Sequence, residues 1–145
     1  GLWGRASGKW YRMREYHFDS RKEGRQRTDE EHYFELERLA GDLPIRAVIV
    51  DPSAASFIEA IRRHGRFYVE KASNAVLDGI RDVATRLQSG DIFICSCCTD
   101  CIREFGLYRW DEKAPMDRPI KENDHAMDDV RYFVHKIFGP QLFSF

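Results

Sequence analysis

The stretch Ile45-Arg46-Ala47-Val48-Ile49-Val50-Asp51-Pro52-Ser53 decides the fold. Residues 45–50 form a short, mostly apolar, β-branched run without the alternation of a half-solvated strand. That is the pattern of a strand covered on both faces in a parallel sheet. Asp51-Pro52 ends it. Downstream, residues 53–64 carry Phe57, Ile58 and Ile61 at helical spacing, and residues 67–69 read as a second short parallel strand. A strand, helix, strand unit results, which sets the class as α/β.

Moving upstream, Thr28 with Glu31 three residues later makes a capping box, followed by Tyr33, Phe34, Leu36, Leu39 and Ala40 near helical spacing until Gly41 and Pro44. Residues 19–27 read as a polar loop. Before it, residues 2–5 and 9–18 read as an antiparallel hairpin turning through Ala6-Ser7-Gly8, with aromatic and apolar residues interleaved with charges. Moving downstream, residues 74–87 hold Val76, Leu77, Ile80, Val83, Ala84 and Leu87 at three-and-four spacing, a helix stopped by Ser89-Gly90. Residues 91–94 predict a strand, 98–105 a helix, 107–110 an extended piece and 111–121 a loop broken by Pro115 and Pro119. The final helix is expected over residues 124–138, capped by Asn123 or Asp124 and closed by Gly139-Pro140.

All of this fits in 145 residues, the size of one domain spanning residues 1–145. A 43% hydrophobic and 32% charged composition lies outside the range of chains that stay disordered. No apolar run approaches the roughly 18 residues of a membrane span, and the first residues lack both an initiator Met and a secretory signal. The expectation is a soluble, cytoplasmic protein without membrane contact, cut from something longer. A net charge of −1 excludes a uniformly basic packing protein. The charge is uneven, however: residues 1–27 hold eight bases against three acids, which suits a solvated hairpin or a surface that meets a polyanion.

Four cysteines, Cys95, Cys97, Cys98 and Cys101, lie within seven residues and cannot staple distant parts of a fold, so reduced thiols are expected. Cys98 and Cys101 have the C-x-x-C spacing of zinc and redox motifs. A second, distant pair is lacking, so zinc is not expected at this cluster.

Two features carry chemistry. Asp51 closes a buried strand at the carboxyl edge of the sheet, where open α/β folds bind ligands, although Asp before Pro is also an ordinary turn former. His125 and Asp128 stand three residues apart at a helix start and project from one face, although acids in a first turn also complement the helix dipole. Should the two features converge, carboxylates and an imidazole suit Mg²⁺ or Mn²⁺, which can drive phosphodiester hydrolysis without a protein nucleophile. The sequence has no G-x-S-x-G, Walker-type loop or H-E-x-x-H, and nothing in the spacing favours Cys98 as a nucleophile.

Four strings in order extend this reading: Val48-Ile49-Val50-Asp51-Pro52-Ser53; Lys71-Ala72-Ser73-Asn74-Ala75-Val76 with Gly79-Ile80; Glu104-Phe105-Gly106-Leu107-Tyr108-Arg109-Trp110-Asp111; and Asp124-His125-Ala126-Met127-Asp128-Asp129-Val130-Arg131-Tyr132. Together they resemble the C-terminal nuclease domain of tailed-phage and prophage terminase large subunits. The resemblance implies an RNase H-like mixed sheet with an antiparallel hairpin, parallel strands and helices on both faces. It implies an endonuclease that cuts concatemeric double-stranded DNA during packaging with two Mg²⁺ or Mn²⁺ ions. The family's acid at the end of its middle strand falls on Asp51, and its D-H-A-x-D helix falls on Asp124, His125 and Asp128, with His125 and Asp128 as ligands. Lys71 and Asn74 lie in a matching loop suited to the DNA backbone. Asp129 stands where the family more often has a small residue and is not read as a ligand.

The expected partners are double-stranded DNA, the portal protein and the small terminase subunit, for a monomeric isolated domain in the cytoplasm of a bacterial host. The family also has a first strand bearing another metal-binding Asp in a D-x-G context, and an ATPase domain. This sequence is expected to begin after both and so to lack one ligand. Two further readings follow: a catalytically incomplete module that grips DNA or docks on the portal, and a resolvase- or transposase-like nuclease of the same fold.

Overall fold

The computed structural model describes residues 1–73, 76–107 and 125–139, with the backbone alone for residues 76–78. The predicted cap at Asn123 or Asp124, the pieces at 108–121, and Asn74 lie outside the described residues.

The hairpin forms from β1 (Leu2–Ala6) and β2 (Lys9–Arg14), antiparallel, with Gly4 opposite Tyr11 and Ala6 opposite Lys9. Ser7 and Gly8 both take positive φ, 51° and 76°, as a two-residue turn matched to strand twist demands. The polar segment that follows is not all loop. Asp19 accepts from the Arg21 and Lys22 amides and Gly24 closes the turn in the left-handed region, making the short α1 (Ser20–Glu23). Then α2 (Asp29–Ala40) starts with its capping box in place: the Glu31 amide donates to Thr28 and the Thr28 amide to Glu31.

β3 (Val48–Val50) is shorter than its apolar run. It pairs in parallel with β4 (Val69–Lys71) after the crossover helix α3 (Ala55–His64). The second strand lies two residues later than the sequence predicted, because the ladder is set by β3. The Val48 amide donates to the Tyr68 carbonyl, and Val50 finds its donor only at the Ala72 amide. Beyond α4 (Val76–Gln88), β5 (Ile92–Ile94) joins the outer side of the hairpin in parallel with β2. α5 (Thr99–Leu107) and α6 (His125–Phe138) complete the order. The mixed antiparallel and parallel strands of an RNase H-like α/β fold are present. Among the described residues they form two sheets, β1-β2-β5 and β3-β4.

Two cores explain why β3 lacks alternation. Val48 and Val50 pack with Tyr33, Ile58, Ile61 and Phe67 beneath α2 and α3. Ile49 packs on the other side against the cluster of Val130, Phe133 and Val134, so helices lie on both faces of this pair. The second cluster is closed by the hairpin: Trp3 stacks on Phe133 with ring centroids 3.9 Å apart, and Trp10 meets the same ring edge-on at 5.2 Å. Among the described residues no helix is long and apolar enough to cross a membrane.

Candidate functional site

Asp51 directly follows β3, and its side chain turns back into a loop of its own making. The Ser53 amide donates to its Oδ1 at 2.9 Å. This bond, an Asx turn, fixes the carboxylate at the carboxyl edge of the parallel pair. From the opposite side, Tyr132 of α6 donates its hydroxyl to Asp51 Oδ2, also at 2.9 Å. One turn earlier on the same helical face stands Asp128, whose Oδ1 accepts from Arg131 at 2.7 Å. The Arg131 guanidinium in turn lies 5.0 Å over the Tyr132 ring. Two consecutive residues of α6 thus bond one acid each from distant parts of the chain, Tyr132 holding Asp51 and Arg131 holding Asp128.

The electrostatics agree with that placement. The Ser53 amide holds Asp51 below the usual carboxylate range against the opposing effect of burial, helped by the Ser53 hydroxyl, Tyr132 and the charge of Arg131. Burial pushes the Tyr132 phenol up to about 12, and the bond to Asp51 and the negative charges of Asp51 and Asp128 push the same way. Each acid is thus felt by the other's partner.

α6 is seated by a residue outside the predicted set. Glu104 of α5 is fully buried, and its Oε2 accepts from the amides of Ala126 at 2.6 Å and Met127 at 3.3 Å, capping the helix that carries His125 and Asp128. At the far end Lys136 pairs with Glu70 of β4 at 2.6 Å, so the helix lies along the sheet from Asp51 to Glu70.

His125 is exposed, its ring 6.4 Å from that of His17. Lys71 is exposed at the end of β4, in register with Val50 one residue before Asp51. Asp129, the neighbour of Asp128, points elsewhere, to the buried Arg12 of β2 and to the Gly1 amino group at 2.9 Å.

The chemistry of the donors, carboxylates with an imidazole nearby, suits a hard divalent cation. Ser53 and Tyr132 are neutral donors, so Asp51 keeps its negative charge, and carboxylates of this kind are chemically suited to Mg²⁺ or Mn²⁺. Among the described residues no three His, Cys, Asp or Glu side chains gather closely enough to hold a metal ion. His125 has not joined the two acids.

The cysteines do other work. Cys98 and Cys101 are buried in the larger core, and the thiols of Cys97 and Cys98 donate to the Met13 and Arg12 carbonyls at 3.0 and 3.3 Å. Burial pushes Cys98 up to about 12 and Cys101 to about 11, far from a reactive thiolate. Of the eight N-terminal bases, Arg12 is buried, and Arg25 and Arg27 pair with Glu31 and Glu35 at 3.2 Å. Arg5, Lys9, Arg14, Arg21 and Lys22 remain exposed.

Sequence reasoning missed Tyr132, Arg131 and Glu104 as parts of this site. Arg131 and Tyr132 were legible as the i+3 and i+4 neighbours of Asp128. The role of Glu104 depends on a contact between helices that no spacing announces.

No family model matches the chain. The terminase large subunit of Escherichia phage T5 is 25% identical over 118 residues, covering 77% of this chain and 27% of that protein. The large terminase of a thermophilic bacteriophage, solved in complex with ADP, superposes with a TM-score of 0.90 at 50% identity, covering 94% of this chain and 35% of that one. The same terminase with ATP-γ-S gives a TM-score of 0.90 over 36% of its length. The chain therefore spans about a third of the length of these relatives. At half-identity across nearly its whole length, the chain is homologous to one portion of the phage terminase large subunit.

Proposed function

We propose that this chain is the DNA-cutting part of a phage packaging terminase. Its substrate would be concatemeric double-stranded DNA, and its partners the portal protein and the small terminase subunit. Asp51, His125 and Asp128 are the residues that would hold Mg²⁺ or Mn²⁺, two ions in the complete site. The observation that carries this reading is that consecutive residues of α6, Tyr132 and Arg131, bond Asp51 and Asp128, in a chain half identical to a solved large terminase. When bound, such ions polarise a phosphodiester and activate the attacking water. The chain's own residues supply the frame: Ser53 and Tyr132 orient Asp51, Glu104 seats the helix that presents Asp128, and exposed His125 is the first residue of that helix. Exposed Lys71, with Asn74, is proposed to contact the DNA backbone.

In the full-length subunit carrying this chain, Asp128→Ala is expected to abolish Mn²⁺-dependent plasmid cleavage, a loss of about 10³-fold or more. Undiminished cutting would remove the assignment. A second reading, a module that grips DNA without cutting it, is favoured by one observation: the Arg131 guanidinium already sits on Asp128. Duplex binding that weakens steeply with salt, together with no Mn²⁺ uptake by calorimetry, would decide for gripping.

A further inference from the structure

We infer that α6 carries its own pair of positioning residues for the acidic site: Tyr132 fixes Asp51 as a donor, and Arg131 is a resident cation on Asp128 that a divalent ion must displace. The inference rests on the metal-holding reading above.

The two contacts look alike and differ in charge. Tyr132 is a neutral donor, and its bond to Asp51 Oδ2 orients the carboxylate without cancelling its charge. Outer partners of this kind orient ligands in metal sites and raise affinity. Arg131 instead brings a full positive charge to 2.7 Å from Asp128 Oδ1. A divalent ion on the same carboxylate would be repelled by it, so cation and guanidinium compete.

The burial of Arg131 has no structural explanation in the pair itself. A bond between residues three apart on one helix forms as well on a solvated surface, where it contributes little. Here the Arg131 side chain is only 5% exposed, and its Nε and Nη1 find no hydrogen-bond partner among the described residues. A half-satisfied buried guanidinium is costly. The fold nonetheless makes room for it: a Cβ on Gly79 of α4 would come within 2.3 Å of Arg131 Cγ and 2.6 Å of Cδ. α4 thus forgoes a side chain at the point where the Arg131 stem passes. A charge kept dry, under-bonded and beside two acids is placed to hold a cation's position and to yield it.

The two residues then have effects of opposite sign on metal affinity, which a merely structural role would not produce. Titration calorimetry with Mn²⁺ alone is expected to show Arg131→Met, which keeps the stem beside Gly79 and removes the like charge, binding about tenfold tighter than wild type. Tyr132→Phe should bind about tenfold more weakly, within the range typical of outer-shell partners. Arg131→Lys, which keeps the charge, should stay within about threefold of wild type. Arg131→Met binding no tighter than wild type, or Tyr132→Phe unchanged, overturns the inference. If Arg131→Met does not fold, side-chain ¹⁵N NMR of the unaltered chain decides: the Arg131 Nε signal should move as Mg²⁺ is added, and a signal unmoved at saturation overturns the proposal. Loss of Mn²⁺ binding in Asp51→Asn with no gain in Arg131→Met leaves the metal reading intact and sinks this one alone. Absence of Mn²⁺ binding in both wild type and Arg131→Met sinks both.

Discussion

Two buried arginines, Arg12 and Arg131, each hold one of the consecutive acids Asp129 and Asp128, and they hold them for different ends. Arg12 reaches from β2 to Asp129 on α6 and lies 3.5 Å from Glu15, whose carboxylate accepts from the amides of Asp100 and Cys101 and so caps α5. It ties a strand to two helices. Arg131 bonds within its own helix, and two of its nitrogens find no partner among the described residues. Arg12 also leaves its Nε without a hydrogen-bond partner, so the difference is one of degree: its Nη1 and Nη2 each reach a carboxylate, whereas Arg131 reaches one carboxylate and leaves two nitrogens unpartnered among the described residues.

The comparison breaks first on stability. Arg12→Met leaves Glu15 and Asp129 without their shared cation and unfastens the hairpin from α6, so urea denaturation should show a loss of about 3 kcal/mol, as when one partner of a buried pair is removed. Arg131→Met removes a guanidinium that is only partly satisfied and keeps its stem, so the loss should stay within about 1 kcal/mol. Equal losses would mean that both arginines serve the fold and that the distinction drawn from their partners is wrong.

How much of this could be read from the chain depends on whether the cause was local. The capping box at Thr28, the hairpin turn at Ser7-Gly8 and the doubly covered strand ending in Asp51 all follow from residues within a few positions of one another. The register of β4 did not, because the partner strand's need for an acceptor at Tyr68 and a donor at Ala72 set it. Neither did the short α1, where a single Asp cap and a left-handed Gly24 outweighed a polar composition. At the candidate site, Asp51 and Asp128 were singled out because few residue types bind hard cations. Arg131 and Tyr132 sat inside the same motif, but their roles depend on burial and on the approach of Asp51, which are tertiary facts. Asp128 and Asp129 were separated by the spacing from His125 and by the family resemblance, but that Asp129 bonds Arg12 of β2 while Asp128 bonds Arg131 is known only from packing.

A smaller effect sharpens the same comparison from the side of α4. Gly79→Ala adds a methyl where Arg131 Cγ and Cδ already lie, so the stem must shift or the helices must part. Ala is worth about 1 kcal/mol more than Gly within a helix, and overpacking costs about 1–3 kcal/mol, so a net loss near 1 kcal/mol is expected in urea. If the close approach of Arg131 and α4 is dispensable, the propensity gain will win and the variant will be more stable than wild type.

The smallest expected effect tests the contact that joins the two acids. In metal-free solution with a chelator, the Tyr132 phenol should titrate at about 12, well above the ordinary value near 10. The largest cause is burial, and the bond to Asp51 adds to it. Asp51→Asn should therefore lower the titration of one tyrosine, followed by phenolate absorbance, by only part of that distance. The sign for stability follows from the same shift. A group whose folded pKa is raised contributes stability that is complete below its unfolded pKa and is lost as pH rises through the folded one. Wild type should accordingly lose stability between about pH 10 and 12, and Asp51→Asn should lose less over that window. Asp51 has the opposite sign, its depressed pKa contributing stability above about pH 4 that disappears as pH falls further. A phenol titration unchanged by Asp51→Asn would mean that Tyr132 and Asp51 do not meet in solution. The two acids would then lose the bridge that sets Asp128 apart from Asp129.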